Sequence, residues 1–171
     1  MLDDNNLRMK KKLLAIALAL LTSTGTYAQF ERNKVYVGSS LTGLNMKYNG
    51  SDKFSFGFNA MGGWFVTDDV LLYGQTGYSH SGNSDDRFNV GAGARYYIEQ
   101  NGIFLGANCK YVHGGGGYDD FVPGVEVGYS FFVNNSVTIE PAVYYDQSFK
   151  SHSDYSTIGL RLGVGVYLFK K

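Results

Sequence analysis

Phe54, Phe56, Phe58, Ala60 and Trp64 occupy alternate positions of the chain, with Ser55, Gly57, Asn59 and Gly63 between them. Successive side chains of a strand point to opposite faces, so this two-residue period predicts a strand with one apolar and one small or polar face. The beat recurs down the chain, and helical spacing fits none of these segments well. An apolar face of this kind needs a cover, either a partner sheet or lipid.

The start of the chain bears on that choice. Lys10, Lys11 and Lys12 form a basic stretch, Leu13 to Leu21 an apolar one, and Thr26, Tyr27 and Ala28 a cleavage site before Gln29. This order is that of a secretory signal. The apolar stretch falls well short of the roughly 20 residues a spanning helix needs. Met9 is the more natural start, so 1–8 is read as a misassigned extension, 9–28 as signal peptide and 29–171 as one β domain. Cys109 is the only cysteine, which excludes an internal disulfide despite export and suits a small packing residue.

Period two places eight strands: Lys34 to Leu44, Phe54 to Phe65, Val70 to Ser79, Phe88 to Ile98, Ile103 to Val112, Val122 to Phe131, Val137 to Asp146, and Thr157 to Phe169. Short Asn, Asp and Gly turns fall at 67–69, 100–102 and 134–136, the chemistry hairpins use. Longer polar loops are expected at Asn45 to Lys53, His80 to Arg87, His113 to Asp120, and Gln147 to Ser156. Short turns at one end, long loops at the other and an even strand number describe an up-and-down meander.

The faces then decide between lipid and a second sheet. Val90, Ala92, Ala94 and Tyr96 oppose Asn89, Gly91, Gly93, Arg95 and Tyr97; Leu160, Leu162, Val164 and Val166 oppose Gly159, Arg161, Gly163, Gly165 and Tyr167. A solvated sheet face carries abundant Lys and Glu, as in a soluble sandwich or cup. Here the polar face is mostly glycine with single charges, which suits the crowded inside of a narrow barrel. The mean hydropathy of -0.17 reads as soluble, but inward polar residues lower that average in any membrane barrel. The expected fold is therefore all-β: an eight-stranded antiparallel up-and-down transmembrane β-barrel. Trp64, Phe65, Tyr96, Tyr97, Phe131 and Phe132 near the short turns, and Tyr78, Tyr111 and Tyr145 near the loops, are read as interfacial girdles.

This architecture resembles the small eight-stranded outer-membrane barrels of the OmpA-like and OmpX-like type. Arg161, Gly163, Val166 and Leu168 match the spacing of a terminal-strand assembly signal, which implies recognition by the outer-membrane assembly machinery. Two departures stand out: Lys170 and Lys171 follow Phe169, where such signals finish on an aromatic residue, and Pro141 falls inside the seventh strand. A bulge near the short-turn rim is the expected accommodation for that proline.

Five successive strands each point a charge inward: Arg95, Lys110, Glu126, Glu140 and Arg161, with Asp146 as a further member. Buried charges must be paired. A cluster of Lys110, Glu126 and Arg161 and a link from Arg95 to Glu140 are expected, acting as structural glue that plugs the bore. His80, His113 and His152 are placed in loops as solvated residues, and the pairs Asp85–Asp86 and Asp119–Asp120 as loop carboxylates. No catalytic, cofactor or metal site is assigned, and a formal net charge of zero argues against nucleic acid. The expected protein is a monomeric, non-enzymatic outer-membrane component of a Gram-negative-type cell, with lipid and lipopolysaccharide as its partners. The alternatives are an outer-leaflet lipid A deacylase or acyltransferase, and a soluble periplasmic barrel for a small ligand. A porin is disfavoured because open channels need about 16 strands.

Overall fold

A computed structural model describes residues 30–44, 55–81, 84–98, 101–115, 118–150 and 156–168. The strands are β1 (Val35–Leu44), β2 (Ser55–Thr67), β3 (Val70–Ser81), β4 (Ser84–Tyr97), β5 (Ile103–Gly114), β6 (Tyr118–Tyr129), β7 (Phe131–Phe132), β8 (Val137–Asp146) and β9 (Thr157–Leu168). Every ladder is antiparallel, and the order β6-β5-β4-β3-β2-β1-β9-β8-β7 closes on itself through pairing of β6 with β8. Segments β6 and β7 are one stave with a break at Ser130, so the wall is a closed eight-stranded up-and-down barrel.

Turn chemistry makes the short connections. Asn134 Oδ1 accepts from the backbone nitrogens of Ser136 at 2.8 Å and Val137 at 2.9 Å, which fixes the entry to β8. Gly102 holds φ at 89°, a left-handed value that glycine adopts without steric cost. At the opposite end the strands run further than the sequence suggests. His80, Ser81 and Ser84 to Arg87 belong to β3 and β4, and His113, Gly114 and Tyr118 to Asp120 to β5 and β6. The expected loops there are hairpin ends, because polar residues can continue a ladder beyond the apolar band. The expected Asn45 to Lys53 loop, Phe54, Phe169 and His152 lie outside the described residues.

Pro141 is accommodated without a bulge. Gly128 faces Ala142 and Phe131 faces Ile139, so the register runs unshifted across the break and sets Tyr129 opposite Pro141. The stave is interrupted because proline brings no N–H to that position. The register shifts that do occur lie elsewhere, between β1 and β9, β2 and β3, and β3 and β4.

The parity of the sequence sorts the two faces. Outward lie Val37, Leu41, Phe58, Trp64, Val90, Tyr96, Leu105, Val125, Leu160, Leu162 and Val164, all exposed. Cys109 is also on this outward face. Inward-facing glycines leave room for large neighbours. A Cβ on Gly63 would abut the Leu72 carbonyl oxygen and stand 2.8 Å from Tyr73 Cα, both backbone atoms that cannot swing aside. Gly63→Ala is expected to destabilise the barrel by about 1–3 kcal/mol, the range for overpacking. A urea titration of the refolded protein measures it.

Candidate functional site

The buried side chains that face the lumen are arranged in layers. At the short-turn end Phe30, Phe65, Tyr97, Phe104 and Tyr167 are almost completely buried, with Tyr36, Leu71 and Phe132 against them. Phe30 precedes the first strand, yet its ring stacks on Tyr97 with centroids 4.0 Å apart and meets Tyr167 edge-on at 5.7 Å. Its carbonyl accepts from the Asp69 nitrogen at 2.8 Å, and the Asn33 nitrogen donates to Phe65 O at 2.9 Å. These bonds fold the leading segment across the β2–β3 turn and into the mouth. Phe65, Tyr97 and Phe132, read from sequence as girdle residues, are therefore part of an internal aromatic cluster. Trp64, Tyr96 and Phe131 keep the outward position. Parity already carried this distinction, since Tyr97 and Phe104 share faces with Arg95 and Gly106.

Above the aromatic cluster lies the charge cluster. Arg95 Nε donates to Glu126 Oε1 at 2.7 Å and its Nη1 to Glu140 Oε2 at 2.8 Å. Arg161 Nη1 donates to Glu126 Oε2 at 2.7 Å. None of these four side chains exposes more than 4% of its surface. Glu140 is further satisfied by hydroxyls from Tyr36 at 2.8 Å, Thr138 at 2.8 Å, Tyr167 at 3.1 Å and Ser130 at 3.3 Å. The Arg95 guanidinium also lies 4.3 Å from the Phe104 ring centroid, and that of Arg161 lies 4.8 Å from the Tyr144 centroid. Such cation–π contacts support the pairing where water is excluded.

Lys110 is placed differently from the sequence expectation. It bonds to Asp146, nearer the loop end, rather than to Glu126. Glu126 has both its oxygens occupied by arginines, so Lys110 takes the next carboxylate along β8. One storey higher, Ser148 Oγ donates to Asp120 Oδ2. Arg95, Glu126, Glu140 and Arg161 thus form one continuous cluster, and Lys110 with Asp146 a second pair beside it.

The outer hairpin ends carry a repeated arrangement that the sequence reading did not single out. His80 Nδ1 lies 2.6 Å from Asp86 Oδ1, and His113 Nδ1 lies 2.6 Å from Asp119 Oδ1, where Tyr111 also donates at 2.8 Å. Both histidines sit in strands, facing their aspartates across a hairpin. The signal for it was the common spacing of Tyr78, His80, Asp86 and Tyr111, His113, Asp119. These side chains are about half exposed or more. His80→Ala is accordingly expected to leave stability unchanged, since exposed pairs contribute little. A thermal melt of the variant beside the parent checks it. Among the described residues no three His, Cys, Asp or Glu side chains converge as metal ligands.

The comparisons with known proteins speak to the fold. Neisserial surface protein A (NspA) superposes with a TM-score of 0.61 at 19% identity, covering 78% of this chain and 96% of that one. The outer membrane protein Ail of Yersinia pestis, in a phospholipid bilayer nanodisc, gives 0.57 at 14% identity, covering 80% and 100%. A de novo designed transmembrane β-barrel gives 0.52 at 14% identity, covering 81% and 98%. The natural barrels among these are small eight-stranded outer-membrane proteins, so the chain has their fold. A match to a designed barrel shows that this likeness is one of architecture, not of activity. No family model and no curated protein matches the chain.

Proposed function

We propose that the chain is an integral outer-membrane barrel with a plugged lumen, serving a structural or surface-interaction role rather than a catalytic one. The observation that carries this reading is the inversion of the usual globular order. Large apolar side chains form the outer wall while Arg95, Glu126, Glu140 and Arg161 are sealed inside. In water that wall would be an uncovered hydrophobic surface far larger than monomeric soluble proteins tolerate. In lipid it is matched, and the sheet closes on itself through the pairing of β6 with β8, as a membrane-spanning sheet must. The outward aromatics Trp64 and Tyr96 towards one end and Tyr78 and Tyr111 towards the other suit two membrane–water boundaries.

On this reading the segment 9–28 exports the chain, and the outer-membrane assembly machinery inserts it. The barrel works as a monomer among lipid and lipopolysaccharide. The β3–β4 and β5–β6 hairpin ends face the cell exterior. The stacked plug and charge cluster close the bore.

Fractionation of expressing cells tests the placement. The protein is expected in the outer membrane, with a gel mobility that differs between unheated and boiled samples. Recovery as a detergent-free soluble protein after export would overturn the reading. Planar-bilayer recording is expected to show no steady channel, and the lipid A mass spectrum is expected to be unchanged on expression. A new lipid A species abolished by His80→Ala or His152→Ala would establish the enzymatic alternative instead.

A further inference from the structure

Both prolines of the chain withdraw a donor from the same seam of the wall. Gln147 N donates to Pro123 O at 2.8 Å, and Val133 N to Val137 O at 2.9 Å. Antiparallel bonds alternate, so residues of this parity on β6, β7 and β8 direct their N–H groups at one another across the β6–β8 junction. Pro123 lies opposite Gln147 and Pro141 opposite Tyr129 within that series. Each leaves a rung of the same ladder with one bond where a standard residue pair makes two. The β6–β8 pairing is also short: it runs from Gly124↔Asp146 to Gly128↔Ala142, then resumes at Phe131 and Phe132. The β3–β4 and β5–β6 ladders run nearly the full strand length.

The buried charges lie directly behind this seam. Arg95 takes Glu126 from β6 with one nitrogen and Glu140 from β8 with another. Arg161 of β9 reaches Glu126, Lys110 of β5 reaches Asp146 of β8, and Ser148 beyond β8 reaches Asp120 of β6. Ser130, at the break itself, donates to Glu140 from across the junction.

We propose that the lumen charges are a clasp across a proline-weakened seam, which makes β6–β8 the line along which the barrel opens locally. This deepens the structural role assigned to the cluster above and rests on that role, not on whether the bore conducts. The side-chain bonds replace from inside what the two prolines remove from the wall. Local opening follows the places with fewest backbone bonds, and here the charge pairs set how often that happens.

Amide exchange resolved by residue, on the full chain refolded in detergent micelles, tests it. The amides of Val125, Val127, Val143 and Tyr145 are expected to exchange about tenfold faster than those of the β3–β4 ladder. Glu140→Gln is expected to speed these seam amides by about a further tenfold while leaving β3–β4 unchanged. Pro141→Val, which restores a donor towards Tyr129, is expected to slow them and acts as an independent test if Glu140→Gln fails to fold. Equal exchange in all ladders of the parent, uniform acceleration by Glu140→Gln, or no slowing by Pro141→Val would overturn the proposal. A closed bore with uniform exchange would refute the clasp alone, whereas a conducting parent with a fast seam would refute the plug alone.

Discussion

Arg95→Ala is expected to lower the unfolding free energy by about 3–5 kcal/mol, the cost of leaving a buried charge without its partner. The guanidinium is 2% exposed and is the cation that serves Glu126 and Glu140 together. With it gone, Glu126 keeps Arg161, while Glu140 keeps neutral hydroxyl donors from Tyr36, Thr138 and Tyr167. The loss therefore falls mainly on Glu140. Combining Arg95→Ala with Glu140→Gln is expected to recover part of it, a non-additivity that a double-mutant cycle reads directly. Urea unfolding in lipid vesicles, followed through the single tryptophan, supplies the measurement. Trp64 stands on the outer wall with 57% of its surface exposed, where its emission reports contact with lipid. A loss below about 1 kcal/mol, the size of a surface pair, would mean that water reaches the cluster.

Tyr97→Ala should cost a similar amount, about 3–5 kcal/mol, for a different reason: it opens a cavity in the aromatic cluster. The Tyr97 ring stacks on Phe30 and lies 5.5 Å from Phe65 and 5.7 Å from Phe104, measured between centroids. Its hydroxyl meets that of Tyr167 at 3.0 Å. Tyr97→Phe keeps the ring and loses the contacts of the hydroxyl, so about 1 kcal/mol is expected there. The difference between the two variants separates packing from hydrogen bonding. If both cost the same, the aromatic cluster is held by its hydroxyls, and the packing account fails.

The wall of the barrel was legible because parity is a local property. One residue in two faces each way along a strand, and the Gly, Arg and Glu positions between Leu160, Leu162 and Val164 or between Val125 and Val127 show the inner side without knowledge of the neighbours. The short turns were legible for the same reason: Asn134 and Gly102 act on their own backbone. Pairing inside the lumen is not local. Whether Lys110 meets Glu126 or Asp146 depends on the stagger between β5, β6 and β8, which no single strand encodes. The ends of the long hairpins are not marked by polarity, because polar residues bond in a ladder as well as apolar ones do. His80 with Asp86 and His113 with Asp119 show that a ladder continues wherever the two sides can still bond.

Phe30 was missed for another reason. It stands outside every alternating segment, so nothing in its surroundings marks it as interior. Its position follows from the bonds that carry 30–33 across the β2–β3 turn.

The pairing of β1 with β9, Val35 against Leu168 and Tyr36 against Tyr167, has a consequence of its own. The wall is a ring, and the chain is that ring cut once. The location of the cut is immaterial to every rung of the sheet. A circularly permuted gene that joins Leu168 to Val35 by a short linker and begins in the Asn134 to Ser136 turn would keep all the ladders, because β9 and β1 are already neighbours. Such a chain would synthesise β8 first and β6 and β7 last, so the staves that flank the two prolines would be the final pair to meet.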